Sequence, residues 1–351
     1  MSAEILLYGA NGYTARLIID HARQAGVPLV LAGRDAATIR AQAEREGCDA
    51  RIFDLTEPRR VAEQLAGIKV VINAAGPFVH TAEPLARACL QAGVHYLDIT
   101  GEIPVFEALA ALDGPAREAG VMLMPGVGFD VVPTDCLAAH LKQRLPGATH
   151  LALAFRGLNR LSRGTARTAV ELGHEPGWVR RGGVLERVPV AYRSRTVDLG
   201  AGPVSAMTIP WGDVATAWYT TGIPNIETYL VVPPAVIRWA RRGARLQGLL
   251  RYQGVRRVLQ GLIQRTMRGP DHVAREREGA ICWGEACDAS GHCVRSRLTL
   301  PNAYTLTAWT ALAIAQRVLA GGLRPGYATP AGVYGPDFIL TFPGVTRVDV
   351  D

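Results

Sequence analysis

Through the first 125 residues short apolar runs alternate with longer amphipathic stretches. Ile5–Tyr8, Leu29–Ala32, Arg51–Phe53, Val70–Asn73, His95–Ile99 and Val121–Met124 read as strands. Between them Ala15–Gln24, Ala36–Glu46, Pro58–Leu65, Glu83–Ala92 and Gly114–Ala119 read as helices, with Asp35 as N-cap of the second. Strands that are apolar on both faces and are joined by helices predict an α/β fold, a Rossmann-type doubly wound parallel sheet. Beyond residue 149 the pattern shifts to shorter alternating runs, Leu151–Phe155, Val188–Tyr192, Ser205–Ile209, Thr228–Val232, Ile281–Ala286 and Val294–Leu298. These predict an α+β domain with a mainly antiparallel sheet and a helix over Thr165–Leu172 inserted in it. Helical periodicity returns over Tyr304–Ala320. The expected organisation is 1–148, 149–302 and 303–351, the last segment packing back on the first.

The chemistry-bearing positions fall where the predicted strands end. Gly9-Ala10-Asn11-Gly12-Tyr13-Thr14-Ala15 lies between the first strand and the first helix. A tight glycine turn there lets a pyrophosphate approach the backbone, and the helix N-terminus supplies free N–H groups and a positive dipole. The second strand ends Ala32-Gly33-Arg34, and its first acid, Asp35, comes after the arginine. An acid at that point usually holds the ribose 2′-hydroxyl of NAD, whereas an arginine accommodates the 2′-phosphate of NADP. The expectation is NADP(H), with Arg34 on the phosphate and Asp35 capping a helix; a merely solvated Arg34 is the alternative. The later strand ends carry Asp54-Leu55, Asn73–Phe78, Asp98–Glu102 and Pro125–Asp130. Expected cofactor contacts are Gly9, Asn11, Gly12, Tyr13, Thr14, Gly33, Arg34, Asp54, Leu55, Ala75, Gly76, Pro77, Phe78 and Gly101.

Of the 38 basic residues only Lys69 and Lys142 are lysine, and no Tyr stands four residues before either. A Tyr-x-x-x-Lys pair and a P-loop lysine are therefore excluded, and neither lysine suits a Schiff base. Asp98, Glu102 and Asp130 are the ionisable groups on the right loops, and Asp130 and Asp98 are the candidate proton-handling residues among them. Asp130 is preferred because Gly126-Val127-Gly128 before it leaves space for a ligand, and tying down its own loop is the competing role. A chain of 351 residues, 48% hydrophobic and 20% charged, can bury a core and is neither disordered nor fibrous. No window offers about 20 uninterrupted apolar residues, as a membrane span would need. The apolar strand at Ile5 leaves no room for a signal sequence, so a cytoplasmic location is expected. The six cysteines suit a reducing compartment. Cys282, Cys287 and Cys293 fit no usual zinc spacing, so no metal is expected, and Asp288-Ala289-Ser290-Gly291 reads as a hairpin turn.

The net charge of +7 is unevenly spread. Between Glu227 and Asp271 there is no acid but there are nine arginines. Basic amphipathic helices are expected within 234–268, with Arg238, Arg241, Arg242 and Arg245 on one arc. Such helices either touch the anionic inner face of a membrane or cover the second sheet with their basic side in solvent. Few aromatics accompany the arginines, so nucleic acid is not an expected partner. Homo-oligomerisation stays open.

The motifs together resemble the saccharopine dehydrogenase-like oxidoreductases. The resemblance rests on Gly9–Ala15, Ala32–Arg34, Asn73–Phe78, Tyr96–Glu102, Gly128–Asp135, Ser162–Ala166, Pro210–Ala217, Thr221–Glu227, Ala303–Ala308 and Thr329–Ala331, and so covers nearly the whole chain. Ala15 and Ala303 stand where the family commonly has glycine. The subgroup most resembled is the bacterial one that includes trans-acting enoyl reductases. The resemblance implies an NADPH-dependent reductase acting on a C=C bond of a lipid, polyketide or other small-molecule intermediate. It also implies substrate contacts at Gly128, Phe129, Thr165, Asp213 and Thr221. A C=N reductase or dehydrogenase, or a non-catalytic NADPH-binding adaptor, are the alternatives.

Overall fold

The computed structural model describes residues 3–157, 176–243 and 278–350, together with single positions 166, 170, 252, 254, 255, 258 and 261. The chain divides into two compact units, one of residues 1–132 and 304–333, the other of 133–303 and 334–351.

The first unit begins β1 (Ile5–Tyr8), α1 (Tyr13–Gln24), β2 (Leu29–Gly33), α2 (Ala36–Glu46), β3 (Asp49–Ile52) and α3 (Pro58–Glu63). It continues with β4 (Val70–Asn73), α4 (Ala82–Ala92), β5 (His95–Asp98), α5 (Ile103–Ala110), α6 (Asp113–Glu118) and β6 (Met122–Met124). Every residue of β1 and β4 is buried, because helices cover both faces of a central parallel strand. β3 is half-exposed at the sheet edge, which is why its apolar signal is weak and its expected bounds were two residues late at the start. α5 was not anticipated, since its apolar Ile103–Ala110 run lacks a polar face and carries a proline in its first turn. Asp35 caps α2, accepting a hydrogen bond from Thr38 N at 3.1 Å.

The second unit contains α7 (Val132–Arg144), β7 (His150–Arg156), β8 (Gly177–Arg181), β9 (Val184–Val188), β10 (Ser194–Asp198) and β11 (Pro203–Thr208). It continues with α8 (Asp213–Thr221), β12 (Asn225–Val231), α9 (Pro234–Gly243), β13 (Ala280–Cys287) and β14 (Cys293–Leu300). The chain then returns to the first unit with α10 (Ala303–Leu319), β15 (Gly326–Tyr327) and α11 (Pro330–Tyr334), and β16 (Thr346–Asp349) completes the second.

The first sheet is wholly parallel, in the order β15-β6-β5-β4-β1-β2-β3. Chain order reverses between β1 and β4, so a crevice opens beyond their C-terminal ends. The second sheet runs β10-β11-β12-β7-β13-β14-β16, with β8 paired to β12 and β9 paired to β8. Its β12–β7 pair is parallel and its other pairs are antiparallel.

Three sequence expectations need correcting. The first boundary falls at 132/133 rather than 148, because α7 lies on β13: a Cβ at Gly284 would stand 2.6 Å from Leu141 Cδ1 and 3.1 Å from Leu137 Cδ2. The strand expected over Val188–Tyr192 instead ends at Val188, since Pro189 has no N–H to continue a ladder. Cys287 and Cys293 do more than flank the β13–β14 turn. As register partners with Cα atoms 4.1 Å apart, they form a disulfide, while Cys48, Cys89, Cys136 and Cys282 are free. The helix expected over Thr165–Leu172 and most of 244–268 lie outside the described residues.

Candidate functional site

At the end of β1 the chain turns through Gly9, whose φ of +78° is a region that side chains with a Cβ rarely enter. Gly9 N and Ala10 N both donate to Ala32 O, at 2.8 and 3.2 Å, tying the turn to the end of β2. Gln42 Nε2, from α2, donates to Ala10 O at 3.1 Å. A Cβ at Gly9 would lie 2.8 Å from both the nitrogen and the Cβ of Ala75, so the loops after β1 and β4 press against one another. Gly12 is the N-cap of α1. Among the described residues the N-cap makes no side-chain capping bond, and the first turn holds no acid. An uncapped helix start of this kind favours an anion such as a pyrophosphate. Asn11 is exposed, Tyr13 and Thr14 are half-buried, and the Tyr13 ring meets Tyr304 edge-on at 5.1 Å.

At the end of β2, a Cβ on Gly33 would stand 3.1 Å from Ile39 Cδ1. Asp35 is spent on its helix: Thr38 donates to it from both N and Oγ1, which holds its carboxyl below the usual range. Arg34 is exposed and makes no ion pair or hydrogen bond among the described residues. Burial pushes the nearby Tyr8 phenol up to about 12, with the Arg34 charge opposing and the Asp54 charge adding. Asp54 is exposed and accepts from Thr56 N and Oγ1, so it closes a local turn, with half-buried Leu55 beside it.

The loop after β4 is held from beneath by a buried chain of polar groups. Tyr96 OH donates to Asp98 Oδ2 and accepts from Asn73 Nδ2, at 2.9 and 3.1 Å. Asn73 Nδ2 also reaches Thr81 Oγ1, which donates to Ala75 O, and Asn73 Oδ1 accepts from Ala75 N. A cis Gly76–Pro77 bond then leads to Phe78 and Val79. Their N–H groups donate at 2.9 and 2.8 Å to the two oxygens of Glu102, which is buried at the start of α5. Sequence reasoning assigned no role to Asn73 or Tyr96, and counted Glu102 only among the ionisable groups on the loops that end the strands. A polar residue ending an apolar strand was the visible signal for Asn73. The Glu102 contact spans 24 residues and leaves no local trace.

Asp98 and Asp130 turn out to differ. Asp98 is fully buried and accepts from Thr100 N, Gly126 N and Tyr96 OH. Burial raises its pKa to about 7 against those hydrogen bonds, and its engaged oxygens make it a positioning residue for the β5 and β6 loops. Asp130 lies against the Gly101 backbone: a Cβ there would be 3.1 Å from Asp130 Oδ2. Its carboxylate makes no hydrogen bond among the described residues. Burial first, and the Glu102 charge second, raise its pKa to about 7. The preceding turn is fixed to α10, because Phe129 N donates to Thr307 Oγ1 at 3.0 Å and Thr310 Oγ1 donates to Val127 O at 2.7 Å.

The expected substrate residues separate. Gly128 and Phe129 are buried in the first unit, and a Cβ on Gly128 would stand 2.8 Å from Thr307 Cγ2. Asp213 and Thr221 are buried at the two ends of α8 in the second unit. Thr221 Oγ1 donates to Ala217 O and accepts from Ile223 N, a helix-ending role. Thr165 lies outside the described residues. Glu285, Cys287 and Cys293 bring ligand atoms within 4.8 Å, but the sulfurs are joined and Glu285 is held by Arg195 and Arg295.

A parallel sheet that reverses order between β1 and β4, with a glycine turn and an uncapped helix at the switch point, defines a Rossmann-type dinucleotide-binding domain. Comparison with known proteins agrees. Residues 5–124 match the family described as "Saccharopine dehydrogenase NADP binding domain". A trans-acting enoyl reductase of Mycobacterium ulcerans is 30% identical over 149 residues, 40% of this chain and 36% of that protein. A trans-acting enoyl reductase of Mycobacterium tuberculosis is 29% identical over 149 residues, with the same coverage. The match thus spans little more than a third of these relatives' length. The apo saccharopine dehydrogenase (L-Glu forming) of Saccharomyces cerevisiae shares the fold over 100% of both chains, with a TM-score of 0.68 and 13% identity.

Proposed function

We propose that this protein is an NADPH-dependent reductase of C=C bonds in enoyl-type lipid, polyketide or other small-molecule intermediates. The observation that carries the cofactor assignment is the end of β2. Asp35, the acid that could hold a ribose hydroxyl, is occupied by Thr38, and Arg34 stands exposed without a partner among the described residues. The Gly9–Gly12 turn and the acid-free start of α1 fit the pyrophosphate. Ala75 and Gly76 leave little side-chain bulk where a nicotinamide ribose would pass. The C=C assignment draws on the enoyl reductase relatives, which match over 40% of this chain.

NADPH, when bound, supplies the hydride. Adding a hydride to one carbon of a C=C bond leaves a carbanion or enolate that takes a proton. Asp130 holds a proton near neutral pH, because its carboxyl is raised to about 7, and it can release that proton to the substrate and regain it from water. Glu102 sustains that pKa by its charge and anchors the Phe78–Val79 backbone. The test is NADPH oxidation across a panel of enoyl-thioesters and imines. Turnover on enoyl-thioesters is expected. Turnover on imines alone would replace this reading by C=N reduction, and NADPH binding with no turnover on either class would replace it by a non-catalytic adaptor.

A further inference from the structure

The helix α9 presents an apolar stripe to solvent. Ile237 is its buried anchor, and Arg241 faces the body of the second unit, donating to Ala191 O at 3.0 Å and to Ser194 Oγ at 3.3 Å. At 100° per residue, Ala235, Val236, Trp239 and Gly243 then fall on the outer side. Trp239 is 71% exposed and Val236 41%, the former being an exceptional exposure for the largest apolar side chain. Beside this stripe stand Arg238 and Arg242, both exposed and without an ion pair among the described residues. The sequence placed Arg241 on the same arc as Arg238, Arg242 and Arg245. Its two hydrogen bonds remove it from the outer face, and Arg245 lies outside the described residues.

We infer that α9 is a docking surface for an anionic lipid bilayer. Trp239 and Val236 enter the headgroup–acyl boundary while Arg238 and Arg242 meet lipid phosphates. The charge argues for this occupant: the 43 positions from 228 to 270 hold nine arginines and no acid, so nothing in that stretch repels an anionic surface. An indole body with one polar N–H suits a boundary that is apolar on one side and wet on the other. Among the described residues no helix is long and apolar enough to cross a membrane, so the contact is one of lying on the surface. The inference is independent of the reductase reading.

The experiment is co-sedimentation of the full chain with phosphatidylcholine vesicles, with and without phosphatidylglycerol, at low and at physiological salt. Binding is expected to the anionic vesicles only, and to weaken with salt as exposed charges are screened. R238Q/R242Q is expected to lower partitioning roughly 30-fold, at about fivefold per arginine near the surface. W239S is expected to lower it by at least about tenfold through lost apolar burial. Both changes lie on the exposed face, and unchanged thermal melts would confirm intact folding. Brominated lipids read the same contact without any mutation, because Trp239 fluorescence is then quenched. Absence of binding at low salt, equal binding to neutral vesicles, or binding unaffected by both variants would overturn the inference. Retention by a polyanion such as heparin with no vesicle binding would overturn it in favour of an acidic macromolecule.

Discussion

Replacing Glu102 tests whether one buried carboxylate both anchors the β4 loop and sets the charge state of Asp130. Its two oxygens accept from Phe78 N at 2.9 Å and Val79 N at 2.8 Å, while the side chain is 2% exposed. A hydrogen bond to a charged group contributes about 1.5–3 kcal/mol, and a buried donor left unpaired costs a comparable amount. Glu102→Ala removes both acceptors, a loss of about 3–5 kcal/mol once the relief of carboxylate desolvation is allowed for. At 2–4 °C per kcal/mol for a unit of this size, the melting temperature falls by roughly 6–20 °C. Glu102→Gln keeps one acceptor and turns an NH₂ toward the other N–H, so it falls between Ala and wild type. The pH dependence supplies a second reading. Asp130 has a folded pKa of about 7, above its unfolded value near 3.8, so the folded state retains the extra proton. Stability from this group is therefore full below about pH 4 and is lost as pH rises through about 7. Both variants remove the charge that helps raise this pKa, so they lose less stability than wild type between pH 5 and 8. Thermal melts across that range provide the assay. Variants that melt within about 1 °C of wild type, with an unchanged pH slope, would refute the reasoning.

Gly9→Ala forces a Cβ into a positive-φ residue and to within 2.8 Å of Ala75; backbone strain of about 1–2 kcal/mol plus displacement of the β4 loop should weaken NADPH binding at least tenfold in a fluorescence titration. Asp130→Asn should leave NADPH affinity intact and not lower the melting temperature, but lower kcat by about 10²–10⁴-fold, as loss of an acid–base group does, and an unchanged kcat would remove it from the mechanism. Because the donor must be protonated, wild-type kcat should fall as pH rises through about 7, and that limb should disappear in Asp130→Asn. Cys287→Ser opens the β13–β14 disulfide and should cost about 2 kcal/mol by the loop-entropy estimate, read as a lower melting temperature without change in NADPH affinity.

The elements easiest to read from sequence were those with one periodicity and clear ends. β1, β2 and β4 are unbroken apolar runs because they are central parallel strands, and the Gly9–Gly12 turn follows the first of them directly. Asp35 as a cap and Arg34 as an exposed neighbour were legible from their order alone. β15 was not, because two residues paired to β6 carry no pattern. The same is true of contacts made only by folding: Thr307 reaches Phe129 across 178 residues and Glu102 reaches Phe78 across 24. Asp98 and Asp130 were both legible as loop acids, and the glycines before Asp130 favoured it. The three donors that occupy Asp98 and the Gly101 backbone beside Asp130 depend on folding and left no sequence trace. The hairpin turn at Asp288–Gly291 was visible, whereas the disulfide depends on Cys287 and Cys293 being register partners, which spacing alone does not establish.

The account depends most on the end of β2, and the direct measurement there is the pair of dissociation constants for NADPH and NADH, taken by titration calorimetry on wild type and Arg34→Ala. A charge-assisted contact from Arg34 to a 2′-phosphate contributes about 1.5–3 kcal/mol, so wild type should hold NADPH at least tenfold tighter than NADH. Arg34→Ala should erase most of that gap by weakening NADPH while leaving NADH nearly unchanged. Equal affinities in wild type, tighter NADH, or a preference that survives Arg34→Ala would contradict it.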